Sequence, residues 1–319
     1  MHSWKLKSVP PHDWFICLDI DSYFDHEHEP EKIFEEGFSR PIPVGDRDLM
    51  VTVFFNGDPE NPEFQIESSE DLSEDEVKEA NRVLSRILGT DLDLKPLYEA
   101  ASDDPVLGEK LMNTYGVKRM ARATLFDDVV NRIVQMQIHH APTARKMMYR
   151  VRETYGTALH QKGKTIPCWP RPHQIMNAEP ANIRKLGPTK RKGESIVGLA
   201  SDIVAGNIDM EFLDRTDPIT FYNTITKVKG VGPTSAQDLM IFRNRPDAFF
   251  PSNVKKGEEK GLRKWIIRSY GGDPDNTSED EFQEMISAWK GQEALAIEFL
   301  YTNWILDWKE RQAQRKKGK

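Results

Sequence analysis

The stretch VKGVGPTSAQDLMIFRNRPDAFFPSN, Val228–Asn253, decides the fold of this chain. Two helices, predicted over Ile219–Thr226 and Ser235–Phe242, flank a connection so short that they must form a tight hairpin. Gly230 and Gly232 permit a left-handed backbone and place no side chain over the N–H groups of the turn. The turn therefore predicts a site where backbone amides approach an anion such as a phosphate, although a plain helical hairpin would need the same glycines.

The residues that open the second helix support the same interpretation. Pro233 suits the first helical turn, and the N-terminal dipole of that helix favours an anion. We therefore expect Val231, Thr234 and Ser235 to lie beside the bound phosphate together with the two glycines.

The segments outside the hairpin predict an α+β protein. Short β-type runs, WFICLDI, MVTVFF and EFQIES, lie between residues 14 and 66 and predict a small antiparallel sheet. Ser73 and Glu76 form a capping-box pattern, which opens an amphipathic helix that ends at Gly89 and packs on the sheet. From about residue 95 onward the chain reads as helix after helix. We predict three parts: an acidic sheet-plus-helix domain over 1–95, an all-α body over 96–308 and a basic flexible tail over 309–319.

Charge is distributed unevenly along the 319 residues. The net charge is −7, which alone would argue against a nucleic-acid partner. Residues 1–115 contain 10 Lys and Arg against 27 Asp and Glu, whereas residues 116–319 contain 34 against 24. The two parts therefore carry −17 and +10. This asymmetry predicts an acidic accessory domain joined to a basic body that meets a polyanion.

Composition also predicts the compartment. No apolar run approaches the roughly 18 residues of a membrane span, and the N-terminus lacks the apolar core of a secretory signal. We expect an intracellular protein without a membrane partner. Cys17 and Cys168 are far apart and lack the spacing of a zinc or redox motif, so we expect reduced thiols that serve packing.

Several segments resemble the helix-hairpin-helix DNA glycosylases. They are IVQMQIHHAPTA (Ile133–Ala144), LGPTKRKGESIVGLASDIVAGNIDMEFL (Leu186–Leu213), KVKGVGPTSAQDLMIF and EALAIEFLYTNW, which together span roughly residues 116–308. The earlier runs PPHDWFICLDI and PIPVGDRDLMVTVFF resemble the sheet domain of the 3-methyladenine DNA glycosylase II branch. The resemblance implies a monomer that binds double-stranded DNA, extrudes a damaged base, most simply an alkylated purine, and hydrolyses its glycosidic bond in base excision repair.

Two positions decide what chemistry the resemblance implies. Strand-cleaving members carry a lysine where this chain has Thr234, and a hydroxyl cannot form an imine, so we expect a monofunctional enzyme. The catalytic aspartate of the superfamily falls on Asn253. A neutral amide cannot stabilise an oxocarbenium-like sugar, so we expect damaged DNA to be bound but turned over poorly. An engineered replacement of the aspartate is favoured, and natural loss is the alternative.

The resemblance also implies roles for other residues. Tyr301, Trp304, Phe249, Phe250 and Asp238 are the candidates for the base pocket, Arg119 and Met120 for filling the vacated stack, and Lys192 and Gln137 for phosphate contacts. Backbone carbonyls of Thr226, Val228 and Val231 would hold a structural Na⁺ or K⁺, and no other cofactor is expected. Two alternatives stay open. One is a non-catalytic protein that recognises damaged or unusual DNA, and the other is a glycosylase for hypoxanthine, uracil or an oxidised purine.

Overall fold

The structure is a computed structural model that describes residues 2–19, 32–34, 37–138, 140–161, 163–251 and 261–317. The α+β prediction is confirmed, because a small antiparallel sheet precedes a mostly helical body. Within the described ranges no helix combines the length and apolar character needed to cross a membrane. Cys17 and Cys168 are buried free thiols, as expected.

The N-terminal sheet has five antiparallel strands in the order β1-β5-β4-β3-β2. Its strands are β1 (His2–Lys7), β2 (Lys32–Phe34), β3 (Gly37–Val44), β4 (Arg47–Asn56) and β5 (Glu63–Ser68). The runs MVTVFF and EFQIES lie in β4 and β5, as predicted. Burial alternates along β5, so one face of this strand packs on the core while the other faces outward.

The run WFICLDI was predicted as a strand, and this prediction is wrong. Its residues form the short helix α1 (Trp14–Asp19). The Asp13 carboxylate accepts hydrogen bonds from the backbone N–H groups of Phe15 and Ile16, which starts a helical turn. Trp14 and Cys17, three residues apart, are both fully buried. Strand β1, by contrast, was not predicted at all.

Helix α2 (Glu74–Leu88) packs on the sheet as expected. The capping box of Ser73 and Glu76 is present, and Gly89 ends the helix with a left-handed φ of 67°. Its buried residues include Val83 and Leu84 on the face turned to the core. Local signals therefore set both ends of this helix.

A short segment, Ser8–Asp13, joins the sheet domain to the helical body. Backbone N–H groups of this segment donate to the carbonyls of Pro62, Thr90, Pro59 and Gly116. Lys118 of the body is fully buried beneath the segment, and its Nζ donates to the carbonyls of Val9 and Leu92. The buried apolar residues of both parts form one continuous cluster.

The body is a set of packed helices. They are α3 (Lys95–Ala101), α4 (Leu107–Asn113), α5 (Leu125–Gln135), α6 (Ala141–Tyr155), α7 (Pro172–Ile175), α8 (Pro180–Lys185), α9 (Lys190–Val204), α10 (Met210–Arg215), α11 (Pro218–Ile225), α12 (Pro233–Ile241), α13 (Leu262–Ser269), α14 (Glu279–Met285) and α15 (Glu293–Lys317), with a 3-10 helix at Ser287–Trp289.

Two expectations about the body need correction. It is not all-α, because β6 (Ala158–Gln161) and β7 (Lys164–Pro167) form a two-stranded antiparallel sheet within it. The predicted flexible tail over 309–319 is also wrong as far as residue 317, because α15 continues to Lys317. Residues 309–317 are all Lys, Arg, Gln, Glu or Ala, which are good helix formers, and no Gly or Pro occurs among them before Gly318. The domain boundary near residue 95 stays a prediction.

Candidate functional site

The predicted hairpin is present, with α11 and α12 joined by residues 226–232. Val228 and Val231 are buried and anchor the turn in the core, and Val231 N–H donates to the Val228 carbonyl. Gly230 has a left-handed φ of 91° and lies against Ser195 of α9. Gly232 is exposed, is extended, and forms the N-cap of α12 with no atom near its missing side chain. Phosphate binding by this open amide turn stays a prediction.

Two residues expected at the phosphate have their side chains engaged inside the protein. The Ser235 side chain is buried and its Oγ lies 3.3 Å from the Met136 sulfur, so the predicted contact of Ser235 with DNA would use its backbone. Lys192 Nζ donates to the carbonyls of Val134 and Met136, which caps the end of α5. An ammonium has three donors, so at most one is left for a phosphate.

The rest of the predicted phosphate and cation contacts stay predictions. Gln137 is exposed just after α5 and has a left-handed φ of 62°, which is uncommon for a residue other than glycine. Thr234 is half-buried in the first turn of α12. Of the carbonyls expected to hold a monovalent cation, that of Val228 already accepts a hydrogen bond within the turn.

A cavity of about 260 Å³ lies beside the hairpin, between α5, α12, α13 and α15. It is lined by Arg119, Met120, Ala121, Arg122, Asp128, Asn131, Arg132, Gln135, Asp238, Ile241, Phe242, Leu262, Ile297, Glu298 and Tyr301. Helix α12 connects the two features, because Gly232 caps its first turn and Asp238 projects into the cavity from its second. The same short helix therefore begins at the glycine turn and forms one cavity wall.

Two of the buried charges of the cavity belong to Arg119 and Glu298. Arg119 Nη1 lies 3.1 Å from Glu298 Oε2, and the two side chains are only 10% and 2% exposed. The Arg119 guanidinium also stacks over the Phe242 ring, with its carbon 3.9 Å from the ring centroid. Burial penalises the charged forms, so it raises the pKa of Glu298 to about 8 and lowers the pKa of Arg119 to about 10.

A second ion pair, between Arg132 of α5 and Asp238 of α12, lies nearer the solvent. Its side chains are 28% and 24% exposed. Burial raises the pKa of Asp238, while Arg132 and Arg119 act in the opposite direction. Asp238 therefore lines the cavity, as the sequence predicted, but with a cationic partner that the sequence did not identify.

The predicted aromatic residues divide into two groups. Tyr301 lines the cavity, and half-exposed Trp304 stacks on it with ring centroids 5.9 Å apart. Phe249 packs edge-on against Tyr222 of α11, and buried Phe250 packs against Phe282. Neither phenylalanine lines this cavity, and their role in a base pocket stays a prediction. Both side chains instead pack against an aromatic partner within the protein.

Arg119 and Met120 were expected on an exposed loop, where they would fill the stack left by an extruded base. Both are largely buried and line the cavity, and their role in filling the stack stays a prediction. The cavity residues that the sequence did not predict include Glu298, Arg132, Phe242, Asp128 and Asn131. A signal existed for Glu298, since it is a lone carboxylate inside the apolar run EALAIEFLYTNW. Asn253 lies outside the described residues, so its position relative to the cavity stays a prediction.

A glycine turn between two helices thus lies beside a cavity in a helical body that follows a small sheet. The chain is similar to DNA glycosylases in sequence and in fold. It is 25% identical over 213 residues to the DNA-3-methyladenine glycosylase of Bacillus subtilis (strain 168), and the alignment covers 66% of this chain and 67% of that relative. No family model matches the chain.

Two solved structures share the fold over nearly their whole length. The 3-methyladenine DNA-glycosylase from Archaeoglobus fulgidus matches with a TM-score of 0.72 at 19% identity, covering 94% of this chain and 98% of that one. The 8-oxoguanine glycosylase/lyase from Clostridium acetobutylicum, in its apo form, matches with a TM-score of 0.66 at 16% identity, covering 95% and 96%. The sheet domain is thus part of the shared fold.

Proposed function

We propose that this chain is a monofunctional DNA glycosylase of base excision repair, which extrudes a damaged base, most simply an alkylated purine, from duplex DNA. The observation that carries the proposal is the cavity beside the hairpin. An extruded base needs an enclosed space next to a grip on the backbone, and α12 connects the two here. The similarity to a DNA-3-methyladenine glycosylase supports an alkylated substrate.

The residues of the hairpin would perform the first step. The exposed amides at Gly232 and the following turn, at the N-terminus of α12, would hold a backbone phosphate without regard to sequence. The described cavity would then receive the base, with Tyr301 offering a ring surface and Phe242 an apolar wall covered by Arg119.

Thr234 supports hydrolysis without strand cleavage. Its hydroxyl cannot form the imine that a lysine would form with the opened sugar. The Gly261 backbone lies close to the Thr234 side chain, because a methyl group added to that glycine would meet Thr234 Cγ2 at 3.2 Å. Water is therefore the proposed nucleophile, and the product is an abasic site in an intact strand.

We further propose that Asn253 keeps the reaction slow. Loss of one preorganised electrostatic group commonly costs on the order of 10² to 10³ in rate. The test compares base release from methylated duplex DNA by this chain and by Asn253→Asp under single-turnover conditions. We expect the Asp variant to be about 10² times faster or more, with no strand cleavage before alkali. Release by neither protein would remove the catalytic proposal.

A second candidate is a protein that recognises damaged DNA without processing it, and Asn253 is the feature that favours it. This candidate predicts tight and selective binding of a damaged duplex with no release of base by either protein. Binding to matched duplexes with and without one damaged base, measured alongside the release assay, separates the two candidates.

A further inference from the structure

The Arg119–Glu298 pair is the unusual feature of the cavity, because burying two charges is costly unless each is fully hydrogen-bonded. Glu298 is 1% exposed and lies in the second turn of α15 among apolar residues. Among the described residues, its Oε1 receives a 3.4 Å contact from the Thr302 hydroxyl. Its Oε2 lies at ion-pair distance from Arg119, yet within the same part of the chain no group is placed to form a hydrogen bond with that oxygen. A buried acceptor in this state requires an explanation.

We propose that Glu298 and Arg119 recognise the hydrogen-bonding edge of a guanine-derived base, with the Glu298 carboxylate accepting from its two adjacent N–H groups and the Arg119 guanidinium donating to its carbonyl oxygen. This inference rests on the proposed function, since it requires a base in the cavity. It identifies the substrate by its parent base, guanine, and not by the chemical damage that the base carries.

Donor and acceptor chemistry selects guanine over adenine. A guanine edge presents a carbonyl oxygen and, beside it, a ring N–H and an exocyclic amino group, which are two donors. A carboxylate offers only acceptors and a guanidinium only donors, so Glu298 and Arg119 match this order of groups. An adenine edge presents one amino donor beside an unprotonated ring nitrogen, which leaves one carboxylate oxygen facing an acceptor. The pair therefore disfavours adenine-derived bases.

The position of the pair supports this assignment. Its side chains are 10% and 2% exposed, against 28% and 24% for Arg132 and Asp238, so a base must enter fully before it meets Glu298. Alkylation of the five-membered ring or oxidation of its carbon leaves the recognised edge unchanged. Burial disfavours the ionised form of Glu298 and raises its pKa, whereas a cationic alkylated guanine would place positive charge beside it and so favour the carboxylate that accepts both N–H groups.

The test measures dissociation constants for four matched duplexes. One is undamaged, and the others carry a 7-methylguanine with a 2′-fluoro sugar, a hypoxanthine, or the 3-deaza analogue of 3-methyladenine. The proteins are the present chain, Glu298→Gln and Glu298→Ala. Glu310→Gln is the matched control, because Glu310 is an exposed carboxylate on the same helix, away from the cavity. Thermal unfolding checks that each variant is folded.

We expect the present chain to prefer the guanine-derived duplex, with hypoxanthine weaker because it lacks the amino group. Glu298→Ala should lower the preference over the undamaged duplex by roughly 5- to 150-fold, the range of one bidentate contact. Glu298→Gln should shift the preference toward the adenine-derived duplex, since an amide offers one acceptor and one donor. A structural role alone would not produce that exchange of preference.

Three outcomes would overturn the inference. If Glu298→Gln and Glu298→Ala keep the preference of the present chain, the pair does not recognise the base. If both weaken binding to every duplex by one factor, including the undamaged duplex, Glu298 is structural. If the present chain prefers no damaged duplex at all, the proposed function fails together with the inference.

Discussion

Gly230 and Gly232 are two residues apart, yet they lack side chains for different reasons. Gly230 has a left-handed φ, and a methyl group there would come within 2.7 Å of Ser195 Oγ. Gly232 has an extended backbone, and a methyl group there would meet no atom within 4 Å. The fold thus needs glycine at 230, whereas at 232 only an external ligand would need it. The sequence predicted both glycines but could not separate their roles, because φ and the position of Ser195 depend on tertiary packing.

This difference gives a matched pair of variants. We expect Gly232→Ala to keep the stability of the protein and to weaken binding to damaged and undamaged duplexes by one common factor, on the order of ten, because the phosphate can no longer approach the amides. Gly230→Ala should lower the free energy of unfolding by about 1 to 3 kcal/mol. Urea unfolding and fluorescence anisotropy on both duplexes make the measurement. A lesion-selective loss in Gly232→Ala would show that the turn does not hold the backbone.

Individual elements were predicted well where their signals are local. Helix α2 carries its own cap and terminating glycine, and α11 and α12 begin with proline in the first turn. Strand β1 and helix α1 were missed, because their conformations depend on partners far along the chain. β1 pairs with β5, and Trp14 packs between Phe38 and Phe64. The intrinsic preference of these residues for strand or helix does not reveal those contacts.

Helix α2 is tied to the body by one buried arginine. Arg86 forms ion pairs with Asp214 of α10 and Asp128 of α5, and it also donates to the carbonyl of Arg122. We expect Arg86→Met to lower the free energy of unfolding by about 3 to 5 kcal/mol, because it leaves buried carboxylate charge without its partner.

Arg82, one turn earlier on α2, is the control for this prediction. Its partners Glu79 and Glu211 are 35% and 69% exposed, far more than the partners of Arg86. Arg82→Met should therefore cost at most about 1 kcal/mol. Urea denaturation of both variants measures the difference, and equal losses would contradict the role of Arg86 as the link between the two parts.

At the scale of the whole molecule, the order of domains and the position of the hairpin were predictable, whereas the cavity was only partly so. Asp238 and Tyr301 follow from motifs near the hairpin and in the last helix. Arg119 and Glu298 meet across 179 positions of sequence, and Phe249 and Phe250 turn away from the cavity into aromatic contacts. Contacts between residues so far apart in the sequence depend on how the helices pack, and a local sequence pattern does not predict that packing.

The junction of the two parts predicts how stability responds to acid. His12 is fully buried between Ser8, Phe64 and Lys118, and burial, with Lys118, holds its pKa well below 6.5. Below pH 6.5 the unfolded chain therefore binds a proton that the folded chain does not, so stability is complete above that pH and falls as the pH is lowered. The contribution is at most about 1.4 kcal/mol per pH unit.

Urea unfolding between pH 7.5 and 5 tests this expectation. His12→Asn cannot take up that proton, so its free energy of unfolding should decline less steeply over this range than that of the parent chain. The comparison cancels the titration of groups common to both proteins. Parallel curves for the two proteins would show that His12 does not make the junction acid-sensitive.

Helix α12 has one last consequence for how such a protein would locate its target. Gly232 and Asp238 are six positions apart on one helix, which corresponds to a rise of about 9 Å. A rigid helix keeps that spacing constant, so a phosphate bound at the turn would lie at a fixed distance along the strand from the nucleotide that enters the cavity. Only the nucleotide at that distance from the bound phosphate would reach the cavity.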